Sequence, residues 1–213
     1  MAPPVLKGTP ILSASELLGQ RQETVNRLKG LSALSETQFD VVFLPLILAF
    51  AGYVQALPHG EQGTILEVRL QQAERVLRRR RGVILPSGAE PEQIAREEDL
   101  WTYAVFSIAL LRRLARDIDA WEITLYSAHH QAVGRWTPYE AAEGWGAWEG
   151  ARCYRLKRQT ASGGGDWTPL IVRALMPSAA LNWLWRKSAV FDVWQKALSR
   201  PELPELIQPL FID

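Results

Sequence analysis

The chain is poor in the residues that build reactive centres. It has a single cysteine, Cys153, and only three histidines, His59, His129 and His130, among 213 residues. One cysteine excludes an internal disulfide framework and a cysteine-built zinc site, and it suits a reducing, cytoplasmic setting. Charge of one sign is also missing. Lys plus Arg number 24 and Asp plus Glu 23, so any surface for nucleic acid must be local rather than global. Long hydrophobic runs are scarce. The longest, "VVFLPLILAFAGYV" (Val41 to Val54), is short for a bilayer span and reads as a buried helix, and "MAPPVLKGTP" has no signal core. No membrane partner is expected. There is no Gly-x-Ser-x-Gly, no His-Glu-x-x-His and no Cys-His arrangement, so nucleophilic or metal catalysis has little material.

What is present is an ordinary core-forming composition, 47% hydrophobic and 22% charged, with nine tryptophans that should mostly pack. Length fits one domain or one and a half, long enough to bury a core without staples. Residues 1–12 read as an extended lead-in. "SASE" (Ser13 to Glu16) has the form of a capping box and opens a helix over about 14–29. "SETQ" (Ser35 to Gln38) repeats the device and opens a helix to about Gln55, kinked or broken near Pro45. A third helix is expected over about 64–80. Pro91 starts a fourth, over about 91–118, with a joint near Glu98. "WEITLY" (Trp121 to Tyr126) alternates as a strand, and "ARCYRLK" (Ala151 to Lys157) is its expected partner across a long tryptophan-rich loop. Three or four short helices follow. The fold expected is mainly α: one domain over 13–200 with a small antiparallel β-hairpin insertion at about 120–158, then a tail or short helix at 201–213.

Two basic clusters carry open readings. "RRRR" (Arg78 to Arg81) ends the third helix, where cations suit the helix terminus and face water, which is the favoured reading. The alternative is phosphate contact. Arg112, Arg113 and Arg116 share a turn in "ALLRRLARDI", with Arg112 and Arg116 on one face. A solvated stripe is again favoured over a functional patch. Adjacent His129 and His130 seldom share a metal, and "SGGGD" lacks the Lys-Ser/Thr of a phosphate-binding loop.

Four stretches, in order, resemble the N-terminal domain of the large relaxases of integrating conjugative elements, the MobH or TraI-type class. They are "TPILSASELLGQRQETVNRLKGLSALSETQFDVVFLPLILAFAGYVQALP", "RRGVILPSGAEPEQIAREEDLWTYAVFSIALL", "LYSAHHQAVGRWTPYE" with "GARCYRLK", and "RALMPSAALNWLWRKSAVFDVWQKALS". The resemblance covers roughly residues 9–200. It implies a helical bundle like that of metal-dependent HD phosphohydrolases, in which histidines and a His-Asp pair hold divalent ions.

At the family's metal positions this chain is different. "GTILEVRL" matches the first histidine element, and the histidine position falls on Val68. "ALLRRLAR" matches the His-Asp element, and the pair falls on Arg112 and Arg113, with Ala115 and Arg116 at the glycine and lysine positions. "GGGDWTPLIVRAL" has no histidine, and the histidine cluster of the family is reduced to His59. Two guanidiniums repel a divalent cation but bind phosphate well. The resemblance therefore implies a catalytically inactive HD-like domain with no metal and no cofactor. Such a domain would bind nucleic-acid phosphate through Arg112, Arg113, Arg116 and Arg78 to Arg81, or dock onto conjugation or recombination proteins. Glu67 or Asp117 could equally neutralise the Arg112–Arg113 pair. Two other readings stay open. One is a residual metal-dependent phosphohydrolase using His59, His129 or His130. The other is a structural or homo-oligomerising module with "RWTPYEAAEGWGAWEGARCY" as its contact surface.

Overall fold

The computed structural model describes residues 8–138, 144–145, 148–159 and 165–212. Two capping boxes form where the sequence placed them: the Ser13 hydroxyl accepts from the Glu16 N–H, and that of Ser35 from the Gln38 N–H. A third, unforeseen, opens α5 (Ile65–Arg80), with Thr64 and Glu67 capping each other reciprocally. The first expected helix comes as two. The chain turns at Gln20 and Arg21 between α1 (Ala14–Gly19) and α2 (Gln22–Ser32). Both then bury apolar side chains, Leu17 and Leu18 from α1, Val25 and Leu28 from α2.

Pro45 does not break the second helix. Between α3 (Glu36–Gln38) and α4 (Leu44–Val54) lies a π-helical turn, Phe39–Phe43, in which Leu44 N–H donates to Phe39 O, five residues back. The wider turn relieves the clash that a proline ring makes with the carbonyl four residues before it. The stretch Glu36–Val54 is long and apolar enough to cross a bilayer by length and composition. Phe43, Leu46, Ile47, Phe50 and Val54 are fully buried in the core of this fold.

The fourth expected helix also differs. α6 (Pro91–Leu111) runs straight through Glu98, and the joint falls at Arg112 and Arg113, before α7 (Leu114–Asp119). Every residue from Leu100 to Leu111 is buried. α6 is packed by α5, by α2, and by α9 (Ser178–Trp185) and α10 (Ser188–Ser199) from the last quarter. α8 (Thr168–Leu175) packs against α7 and α10. A 3-10 turn at Gln208–Leu210 lays the tail on α5, with Ile207 and Leu210 fully buried.

The β insertion is larger than a hairpin. β2 (Trp121–Tyr126) pairs with β4 (Cys153–Arg158), Trp121 opposite Arg158 and Tyr126 opposite Cys153. β3 (Ala132–Arg135), within the expected loop, pairs with the other edge of β2, and β1 (Thr9–Pro10), from the expected lead-in, pairs with β4. The sheet is antiparallel throughout, in the order β1-β4-β2-β3. Trp136 and Trp145 of the tryptophan-rich loop are 3% and 0% exposed. They form an aromatic cluster with Tyr53 and Tyr154, with ring centroids 4.5–5.3 Å apart. These tryptophans pin the sheet to the helices and are not an outward contact surface. Residues 139–143 and 146–147 of that loop lie outside the described residues.

Phe43 is fully buried, with its ring centroid 4.5 Å from Phe106 and 5.0 Å from Tyr103. Phe43→Ala should cost about 3–5 kcal/mol in urea unfolding. Val41→Ser, on the half-exposed side of the same turn, should change stability by less than about 0.5 kcal/mol.

Candidate nucleic-acid interface

The opening of the site is set by how α6 ends. Arg112 leaves the helix with an extended ψ of 127°, and Arg113 takes a left-handed conformation at φ 60°. A non-glycine residue held there costs roughly 1 kcal/mol, so the surrounding packing imposes the turn. Arg112 then reaches across to α10. Its Nε donates to Ala197 O at 3.1 Å and a terminal nitrogen donates to Pro201 O. Burial lowers the Arg112 pKa, and the nearby cations of Arg113, Arg69 and Arg116 lower it further, against the pull of Asp166. Arg112 is thus a clasp on the end of α10. Arg113 is half-buried, and its Nε is buried without a hydrogen-bond partner.

One turn later α7 presents Arg116 to solvent, with Asp117 half-buried beside it. Ala115 N–H donates to the Thr168 hydroxyl at 3.2 Å, which docks α7 onto α8. Asp117 accepts from Arg69 at 2.5 Å, and His59 Nε2 lies 3.6 Å from its other oxygen. Arg69 is only 8% exposed, so this carboxylate is neutralised from beneath. His59 sits in the loop before α5, held by His59 N–H to Gly63 O at 2.7 Å. The Trp121 indole N–H donates to Pro58 O at 3.2 Å and closes the loop against β2. Between loop, α7 and sheet is a cleft of about 450 Å³ lined by His59, Glu61, Arg116, Asp117, Trp121 and Arg158. Arg116 and Arg158 are both exposed, and among the described residues neither guanidinium makes a hydrogen bond or ion pair.

The other expected arginines point apart. Arg78 pairs with Glu74 at 2.7 Å. Arg79 donates to Leu210 O at 3.3 Å, and Arg80 to Val83 O at 2.6 Å and Glu98 O at 3.4 Å. Arg81 donates to Gly30 O. The favoured solvent-facing reading is corrected for Arg80, which is 6% exposed, with its pKa lowered by burial. Four consecutive arginines thus tie the end of α5 to four different places, because successive helical positions are about 100° apart.

Neither expected neutraliser serves the Arg112–Arg113 pair. Glu67 bonds Arg21 at 2.7 Å as well as capping α5, and Asp117 is taken by Arg69. The positions that the HD resemblance assigns to metal ligands carry an alkyl group at Val68 and cations at Arg112 and Arg113. None of these donates a lone pair to a divalent ion, so a metal does not fit the residues present. Among the described residues no three of His, Cys, Asp and Glu gather into a metal-binding group. His129 and His130 lie exposed on the turn between β2 and β3. Sequence reasoning missed Arg69, Trp121 and Arg158. Arg69 and Asp117 are 48 residues apart, and Trp121 meets Arg158 only through strand pairing, so no local pattern announces them.

A mainly helical domain with a four-stranded antiparallel sheet and an arginine-bearing cleft is what fold and site define. Residues 8–200 match the model of the TraI_2 family, described as "Putative helicase". The chain belongs to that family, in keeping with its resemblance to TraI-type relaxases. No curated protein matches it.

Arg112→Ala should remove the clasp on α10 and lower the urea midpoint by an amount worth about 1–3 kcal/mol. The carboxyl of Glu67 is held below its ordinary pKa, chiefly by the Thr64 N–H and also by Arg21. Its contribution is therefore present above the unfolded pKa and is lost as pH falls through the folded value. The penalty of Glu67→Gln, measured by urea unfolding, should be full at pH 7 and shrink below about pH 4.3.

Proposed function

We propose that this chain is a catalytically inactive, HD-like, cytoplasmic domain that binds nucleic-acid phosphate in conjugative or related DNA transfer. One observation carries the reading: Arg116 and Arg158 bring two uncommitted guanidiniums to one cleft beside Trp121. Arginine suits phosphate because its fork matches two oxygens at once, and an aromatic ring nearby offers a stacking surface for a base. The Asp117 carboxylate in the cleft is already answered by Arg69, which reduces its repulsion of a phosphate. Arg113, with its unpartnered Nε close by Arg112, adds to the local positive field. Arg112 and Arg78 to Arg81 contribute less, because their donors already hold parts of the fold.

Inactivity is supported by the absence of metal-donor side chains at Val68, Arg112 and Arg113. The sequence also contains no Gly-Lys pair, so it has no phosphate-binding loop of the kind nucleotide motors use. The helicase description therefore stays with the family, and the role assigned to this domain is binding.

The test is a titration of labelled single- and double-stranded oligonucleotides across a salt series. Binding should weaken linearly on a log–log plot, by roughly 0.7 per single-strand phosphate engaged. Reversing both Arg116 and Arg158 to Glu should weaken affinity at least tenfold and flatten the slope by about one to two contacts. No binding at low salt, or binding indifferent to that double reversal, would overturn the reading.

A further inference from the structure

The cleft between α7 and the sheet holds one titratable side chain that phosphate binding by arginine leaves unused. His59 sits in the loop between α4 and α5, and this loop is pinned on both sides. His59 N–H donates to Gly63 O at 2.7 Å and Gln62 N–H donates to His59 O at 3.1 Å. Pro58 bridges to Thr64, the N-cap of α5, and the Trp121 indole holds Pro58 O from the sheet. The backbone at His59 is therefore fixed while its imidazole lines the cleft, with the side chain 31% exposed.

The surroundings define what the ring can do. Nε2 lies 3.6 Å from Asp117 Oδ1, too far for a hydrogen bond, and among the described residues neither ring nitrogen makes one. The other Asp117 oxygen is held by Arg69, which comes from α5. α7 also supplies Arg116, β4 supplies Arg158, the loop itself supplies Glu61, and β2 contributes the uncharged Trp121. With Asp117 and Arg69 offsetting each other, a neutral His59 leaves the two guanidiniums of Arg116 and Arg158 against the exposed Glu61 carboxylate. A protonated His59 adds a third cation to the same wall. An imidazolium has two N–H donors, so one can answer Asp117 and the other a phosphate oxygen. Histidine is the side chain whose charge ordinarily changes between about pH 5 and 8.

We infer that His59 is a further phosphate-binding residue of the cleft, engaged in its protonated form, so that nucleic acid is held more tightly in more acidic solution. This rests on the nucleic-acid reading of the cleft. The sign follows from linkage. A ligand that prefers the charged imidazole binds with uptake of a proton, so its affinity rises as pH falls into the range where histidine is charged.

Fluorescence anisotropy of a labelled oligothymidylate, whose bases do not titrate in this range, tests it on the whole chain at constant ionic strength. From about pH 8 to about pH 5.5 the affinity should rise at least about fivefold. The salt slope should steepen by about 0.7, the value of one more single-strand contact. His59→Gln keeps a hydrogen-bond donor without the charge, and should reduce the rise to less than about twofold. Replacing His129 and His130 together by Gln, on the exposed turn between β2 and β3, should leave the rise intact. With only three histidines in the chain, the imidazole signals in proton NMR can be assigned by those substitutions. The His59 signal should titrate at higher pH with the oligonucleotide than without it. If His59→Gln melts early, this signal in the unaltered protein decides, and a midpoint unmoved by the oligonucleotide overturns the inference. Affinity independent of pH, or a rise that survives in folded His59→Gln, overturns it too and leaves the arginine reading standing. Binding absent at every pH would overturn both.

Discussion

A helix buried on every side is the constraint from which the rest of this structure follows. From Leu100 to Leu111 no face of α6 reaches solvent, so the chain must supply neighbours all round it. α2 and α5 do so from the N-terminal half, and α9 and α10 from the C-terminal quarter. Two buried hydroxyls in this stretch donate to carbonyls of the same helix, while the Trp101 indole nitrogen is buried without a partner among the described residues. Thr102 donates to Glu98 O, and Ser107 donates to Ala104 O while accepting from Trp194. A buried hydroxyl left unpaired would cost more than its hydrogen bond returns, so these contacts accompany the burial rather than decorate it.

The same constraint produces the arginine turn. A helix that ends inside a core needs its chain redirected without exposing apolar surface. Arg113 accepts a left-handed conformation to do this, and Arg112 spends its donors on the carbonyls at the end of α10. The result is that the two arginines that look most like a binding pair in sequence have divergent roles. The uncommitted positive charge appears one turn later, at Arg116, and across the sheet, at Arg158. Asp117 lines the same cleft, and its carboxylate is paired with Arg69.

Two surfaces of different chemistry result. The cleft between α7 and the sheet is polar, carries two free guanidiniums and has a tryptophan at its wall. The groove of α8 to α10 is apolar, with Arg173 as the one charged residue in its lining. Val68, Arg112 and Arg113 offer no metal-donor atoms, so neither surface is built around a metal at those positions.

Much of the architecture could be read from the chain alone, because its causes are local. Ser13, Ser35 and Pro91 start helices through groups within four residues of themselves, and "WEITLY" alternates because one face of a strand is buried. Cys153 and the scarcity of histidine limited the chemistry by composition. The break at Arg112 rather than Glu98, the π-helical form of the irregularity before Pro45 and the strand Ala132–Arg135 were invisible in the sequence. The site was less legible still. Arg116 could be named from its helix face, but which arginines are free depends on where the partners of the others lie: Ala197, Pro201 and Leu210 from the far end of the chain. Sequence by itself determined the kinds of groups available and the local elements that carry them. Tertiary structure alone decided which charges are spent within the fold and which remain, because that depends on contacts between residues far apart in the chain.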